Sequence, residues 1–223
     1  MEVANFIMFM DFFTFLDILT NLKEIELGGS MAHLQMAPSL RLKEMPSLDF
    51  SKIQPKKAAV LLHLYPSDKG KVCLVLIQRN VYNGPHSGQI SLPGGKSDVD
   101  DPTLWDTALR EAQEEVGLEP KQLKYLRKLT DIYVPPSNYL IRPFVGYSGN
   151  PCDFIPNADE VTEIIEIQLN DLIKIGKTTT LQSSSSYGPM KVPTYVLGPY
   201  EVWGATAMIL SEFKMLLADG LSK

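Results

Sequence analysis

Histidine and cysteine are scarce in this chain, three and two among 223 residues. His33, His63 and His86 lie far apart, as do Cys73 and Cys152. No zinc-ligand spacing exists and no disulfide framework can be drawn. A reducing compartment, the cytoplasm, is therefore the expected location. Basic residues are also outnumbered: 21 Lys and Arg against 26 Asp and Glu give a formal net charge of −5. A general nucleic-acid binder needs the opposite balance. Asp11 and Asp17 interrupt the apolar run from Asn5 to Leu19, so it falls short of the ~20 uncharged residues of a membrane helix. That run has neither a basic n-region nor a small-residue cleavage site, and no secretory signal is expected. Internal repeats are absent. Ser87, Ser91 and Ser137 have no triad context.

What is present is enough for one full domain: the hydrophobic share is 44%, and two domains would each be small. From Asp11 to Leu27, Phe12, Phe15, Leu16, Leu19 and Leu22 recur at helical spacing, predicting an amphipathic helix packed on the domain or on a partner subunit. A homodimer contact is one expectation from it. Met1 to Phe9 adds little to the pattern, which makes Met10 a plausible start. Residues 1–50 are read as this helix and an extended arm, and 51–218 as the main globular domain. Ala58 to Leu64 and Val72 to Gln78 read as buried strands, and Asn83-Gly84-Pro85 as a loop. Lys124 to Tyr133, Leu140 to Tyr147, Val161 to Gln168 and Pro193 to Leu197 read as further strands. Helices are expected over Asn170 to Ile175 and Trp203 to Ala218, and the serine-rich stretch Thr178 to Gly188 as a mobile loop. Strands and helices without regular βαβ alternation point to an α+β or layered domain.

The densest chemistry is the run Arg110-Glu111-Ala112-Gln113-Glu114-Glu115-Val116-Gly117-Leu118. On a helix, three glutamates at this spacing share about a 100° wedge of surface. Like charges one turn apart repel, and a hard divalent cation removes that cost. A solvated acidic face is the plainer alternative for such a run in isolation. Its surroundings favour the cation. Gly94 and Gly95 before it allow a tight turn and close approach to a ligand. Asp101-Pro102 or Thr103, with Asp106 three residues on, marks the helix start, and Gly117 marks its end. Trp105, Leu109, Ala112 and Val116 form an apolar stripe, centred about 140° from the acidic wedge.

Gly95 followed by Arg110-Glu111-x-x-Glu114-Glu115-x-Gly117-Leu118 resembles the Nudix box, a glycine, a spacer and REUxEExGU. The spacer here is one residue longer than in the general box, and its usual glutamate is replaced. The carboxylate partner of Arg110 is therefore open among Asp98, Asp100 and Asp101. Leu76-Ile77-Gln78-Arg79-Asn80 and His86-Ser87-Gly88-Gln89-Ile90-Ser91-Leu92-Pro93-Gly94-Gly95-Lys96 are similar to the signature preceding the box in the coenzyme A pyrophosphatase branch. Tyr133 to Tyr139, Pro143 to Gly146 and Glu201 to Ala207 also look like that branch, so the resemblance runs from about Lys56 to Phe213.

The resemblance implies a Nudix α/β/α sandwich with a mixed sheet. It also implies a Mg²⁺- or Mn²⁺-dependent pyrophosphohydrolase of a small molecule, with neither nucleic acid nor membrane as partner. Glu111 and Glu115 are expected to hold the principal ion, with the Gly95 carbonyl as a further ligand. Glu114 would complete a second ion site or serve as base, and Arg110 would hold a box carboxylate in place. Arg79 and Lys96 are candidates for the substrate's phosphates, with the Gly94 backbone and His86 beside them. His86 has a second reading, a loop residue bonded to backbone. Glu160 and Glu163 are candidates for an outlying base or ligand, or exposed strand-edge acids. Coenzyme A is the substrate implied by the branch. ADP-ribose, NADH or an inert ligand-binding module are the alternatives.

Overall fold

Two apolar runs form the centre of the sheet, β1 (Lys56–Pro66) and β2 (Val72–Arg79). Their side chains alternate as a strand requires. Ala59 and Leu61 of β1 pack in one core and Leu62 and Leu64 in the other. Apolar residues on both faces demand a covering layer on each side. The computed structural model describes residues 11–44, 52–84, 86–184 and 188–221, and it supplies both layers. The candidate start Met10 and part of the N-terminal arm lie outside the described residues.

β1 runs parallel to β7 (Tyr139–Tyr147) along one edge. Its other edge is divided. Ala58, Ala59 and Val60 pair with β4 (Gly94–Lys96), and Leu64 to Pro66 pair with β2. β2 carries β3 (Ile90–Ser91) and β8 (Val161–Gln168); β7 carries β5 (Lys124–Lys128) and β6 (Ile132–Val134). One parallel pairing among antiparallel ones makes the sheet mixed, as expected. Helix α4 (Leu104–Val116) covers one face through Ala108, Ala112 and Val116, packed with Ala59, Leu61 and Phe144. The other face is covered by α1 (Phe12–Asn21) and α6 (Gly204–Leu221), through Phe12, Phe15, Leu19, Leu210, Phe213 and Leu217. The architecture is the α/β/α sandwich.

The N-terminal helix ends at Asn21 and continues as a 3₁₀ turn, Leu22–Glu24, rather than reaching Leu27. The cause is a distant residue. Arg127 of β5 donates to the carbonyls of Leu22 and Ile25, giving those acceptors a partner outside the helix. The apolar face of α1 is spent on its own domain, which accounts for the pattern that suggested a dimer contact. Beyond it, where the sequence predicts an extended arm, the chain forms α2 (Gly29–Leu34) and α3 (Ser39–Glu44). The expected strand from Lys124 to Tyr133 is broken between β5 and β6. The stretch read as a mobile loop is strand β9 (Thr178–Ser184), paired with β10 (Gly188–Leu197). β11 (Tyr200–Trp203) completes this second sheet. The helix α5 (Leu169–Lys174) follows β8 as predicted, one residue early.

Glu212 of α6 is fully buried and ties three elements together. It accepts from the Gly29 amide at 3.0 Å, from the Thr130 amide at 3.1 Å and from the Thr130 hydroxyl at 2.6 Å. His33 Nε2 lies 3.2 Å away. Burial alone would raise this carboxyl, but the bonds from His33 and Thr130 outweigh it and hold it below its ordinary value. Its stabilising contribution is thus complete above the ordinary carboxylate range and is lost on acidification through the depressed folded value. Glu212→Gln turns an amide NH₂ toward donors and is expected to destabilise by about 3 kcal/mol. Urea unfolding at neutral pH measures this, with turnover of the remaining folded protein unchanged.

Candidate active site

Thr103, not Asp101, caps α4. Its side chain accepts from the Asp106 amide at 3.3 Å and donates to the Asp106 carboxylate at 2.6 Å. The helix stops at Gly117, which takes φ 73°, the left-handed conformation that glycine adopts without penalty. Between these stops the acidic turn lies against β4, and its three glutamates occupy different environments. Glu115 is buried, Glu111 half-buried and Glu114 exposed.

Glu115 accepts from the Gly94 amide at 2.7 Å and from Arg79 Nη1 at 3.2 Å. Burial raises its carboxyl to about 7, against the opposing effects of the Gly94 bond and Arg79. Glu111 rests directly on the second glycine: a Cβ on Gly95 would fall 2.2 Å from Glu111 Oε2. Burial raises Glu111 as well. Gly94 has φ 149°, and a Cβ there would meet the Ala59 carbonyl at 2.3 Å. Gly94 is therefore required by close approach to backbone, while a side chain at Gly95 would have to displace the Glu111 carboxylate.

Arg110 gathers the loop. It makes a two-pronged bond to Asp101, 3.0 Å from Nε and 3.1 Å from Nη2. It also reaches Glu111 and Glu114, at 2.9 and 3.0 Å, and the Lys96 carbonyl at 3.0 Å. Of the three open partners, the structure selects Asp101. Arg110 holds that carboxyl down at about 2.

The wall so formed faces a solvent-open cleft of about 490 Å³. Arg79, His86, Gly94, Gly95, Lys96, Glu111 and Glu114 all line it, together with Glu160 from the turn before β8. Glu163 does not join them; its carboxylate accepts from the Tyr200 hydroxyl at 2.7 Å. His63 is buried beside Ser148, Nε2 to Oγ 2.9 Å, and His33 serves the Glu212 cluster. His86 is held by side chains, not by backbone as one reading expected. Its Nδ1 lies 3.1 Å from Gln89 Oε1, which can only accept, and its Nε2 lies 3.3 Å from Ser137 Oγ. Burial lowers its pKa, so at neutral pH the ring donates through Nδ1 and receives the Ser137 proton at Nε2. Trp203 and Ala205 also reach the cleft. The resemblance marked their segment, but nothing local signalled that they would line the same cleft as Glu111.

Among the described residues, no three acidic, histidine or cysteine side chains gather around one point. The carboxylates are spread along the wall and neutralised by Arg79 and Arg110. Their chemistry still fits a hard divalent ion, which takes several oxygens from carboxylates, carbonyls and water. Glu111 lies against Gly95, which puts a carboxylate next to the glycine strand.

A mixed-sheet sandwich with a glutamate-rich helix laid over a double-glycine strand defines a hydrolase of phosphorus anhydrides. The family model for the NUDIX domain matches residues 55–178, and the chain belongs to the Nudix family. It is 33% identical to the mitochondrial coenzyme A diphosphatase NUDT8 of Mus musculus, over 75% of this chain and 80% of that one. It is 31% identical to the uncharacterized Nudix hydrolase NudL of Pectobacterium atrosepticum, over 83% and 91%. Among solved structures it is similar in fold to a Nudix hydrolase from M. smegmatis, RenU. There the TM-score is 0.52 and the identity 17%, over 74% of this chain and 87% of that one. Enzymes of the family generally use divalent metal ions and act on small molecules. Among the described residues no helix is long and apolar enough to cross a membrane.

Proposed function

We propose that this chain hydrolyses the diphosphate of coenzyme A or its derivatives, giving 3′,5′-ADP and 4′-phosphopantetheine or its acyl form. The observation that carries the reading is one cleft that combines a carboxylate wall with Arg79 and Lys96. The run from His86 to Lys96 and the likeness to a protein named coenzyme A diphosphatase support the substrate.

Glu111 and Glu115, one turn apart, would hold Mg²⁺ or Mn²⁺, with the Gly95 carbonyl beside them. When bound, such an ion neutralises the diphosphate and lowers the pKa of a ligated water. Glu114 and Glu160 line the same cleft, and either would accept the proton of the attacking water. Arg110, anchored on Asp101, keeps Glu111 and Glu114 in place. Arg79 and Lys96 supply positive charge for phosphate oxygens, where the Arg fork matches two oxygens at once. The two free cysteines suit a reducing location such as the cytoplasm.

Incubation with coenzyme A and Mg²⁺, with products resolved by chromatography, is expected to release 3′,5′-ADP and 4′-phosphopantetheine. Chelation with EDTA should abolish the reaction. Cleavage of ADP-ribose or NADH without cleavage of coenzyme A would give the cleft to another dinucleotide. No metal-dependent cleavage of any of them would leave the inert ligand-binding module.

A further inference from the structure

Strand register settles what stands at the entrance of the cleft. Side chains two apart on a strand share a face. Lys56 therefore projects from β1 on the same side as Ala58 and Val60, which line the cleft. In-register neighbours share that face. On β7, Tyr139 lies beside Lys56 and Ile141 beside Ala58; on β4, at the other edge, Lys96 lies beside Ala58. Tyr139, Ile141 and Lys96 all line the cleft. Lys56 thus stands one step outside an apolar floor, with Lys96 to one side and Tyr139 to the other. A strand spacing of about 4.8 Å and a rise of about 3.3 Å per residue put the Cα atoms of Lys56 and Lys96 about 8 Å apart. Two side chains of this length can reach one anion between them.

The entrance is braced from both sides. Asn138 takes φ 52°, and its carbonyl accepts from the Lys56 amide at 2.9 Å. Its side-chain amide donates to the Gln54 carbonyl at 3.3 Å, and its Oδ1 accepts from the Tyr133 hydroxyl at 3.0 Å. Lys96 is fixed through its carbonyl by Arg110. The Lys56 ammonium lies 5.9 Å from the centre of the Tyr139 ring, within cation–π range. That contact draws the charge toward the cleft. Arg79 and Arg110 are each paired with a carboxylate, whereas Lys56 rests on a neutral ring and keeps its charge for an anion.

We infer that Lys56, steadied by Tyr139 and flanked by Lys96, seats a phosphomonoester of the substrate that is separate from the diphosphate being cleaved. The inference rests on the diphosphatase reading and names the residue by which that substrate is chosen. The product 3′,5′-ADP carries such a phosphate on its ribose. With the diphosphate on the carboxylate wall, Lys96, next to Gly95, meets its nucleotide end. Lys56 lies farther out along the same face, where the 3′-phosphate follows the ribose. That group is close to a dianion at neutral pH, and its bonds to an ammonium are charge-assisted. ADP-ribose and NADH bring no phosphate to this position, so Lys56 discriminates among compounds that share the diphosphate.

The test compares kcat/KM for coenzyme A and 3′-dephospho-coenzyme A with Mg²⁺. The wild-type protein is expected to favour coenzyme A by about tenfold or more. The gain should reside in KM, because a phosphate remote from the reacting phosphorus binds equally in ground and transition states. Lys56→Gln, which removes the charge from an exposed side chain, should bring that ratio toward one. Lys56→Arg should retain the preference, and thermal unfolding confirms that each variant is folded. The same contrast is expected in calorimetric binding of 3′,5′-ADP and 5′-AMP. Cleavage of both compounds with equal kcat/KM by the wild type overturns the Lys56 assignment and leaves the diphosphatase reading standing. A preference that survives Lys56→Gln in folded protein overturns it equally. Failure to cleave either compound while ADP-ribose is cleaved overturns both.

Discussion

Glu111→Gln is expected to lower turnover about a thousandfold or more while leaving the protein folded. The amide matches the carboxylate in size, so the contact with Gly95 survives and only the charge is lost. A lost electrostatic contribution of about 4 kcal/mol in the transition state corresponds to that factor. Stability should hold or rise slightly, because Glu111 is one of the charges that raise the carboxyl of Glu115, and removing it relieves their repulsion. Parallel assays of product release, Mn²⁺ binding by calorimetry and thermal unfolding separate the effects. Near-normal turnover in folded Glu111→Gln protein would sink the metal assignment.

Gly94→Ala should be as damaging by a different route. Its Cβ would enter at 2.3 Å from the Ala59 carbonyl and 2.5 Å from the Val60 Cα, both backbone atoms of the central strand. Neither can swing aside. Relief requires β4 to leave β1, which costs the pairing of Ala58 to Val60 and withdraws the Gly94 amide from Glu115. A destabilisation of about 3–5 kcal/mol is expected, with activity lost even in the fraction that folds. Gly149, where a Cβ would meet nothing within 4 Å, provides the control: its alanine variant should stay within about 0.5 kcal/mol of wild type. Equal behaviour of the two variants in denaturant melts would refute the close-approach argument.

The parts of the fold readable in the sequence are those whose signal is local. β8 spans Val161–Gln168 as expected, β1 exceeds its apolar run by two residues at each end and β2 by one. The misread parts answer to distant partners. The strand expected through Thr130 breaks because Thr130 turns its amide and hydroxyl to Glu212. β9 is a polar edge strand, Thr-Thr-Thr-Leu-Gln-Ser-Ser, held by its ladder to β10 with few apolar residues to announce it. The spacing puts Glu111, Glu114 and Glu115 on one turn, and of these the structure brings Glu111 and Glu114 to the cleft. The spacing did not reveal that Glu115 turns inward to the Gly94 amide, nor which aspartate holds Arg110. Glu160, weighed evenly with Glu163 in the sequence, is separated from it by geometry, since only Glu160 reaches the cleft.

The parallel pairing of β1 with β7 joins segments more than eighty residues apart, Lys56 with Tyr139 through Leu64 with Tyr147. Loop closure over such a distance must precede any reward from the contact, which slows folding. β4, and with it Gly94 and Gly95, hangs on the opposite edge of that same strand. During refolding, far-ultraviolet signals from α4 should therefore return before catalysis does. An interrupted chain would carry a formed acidic helix with nothing yet beneath it.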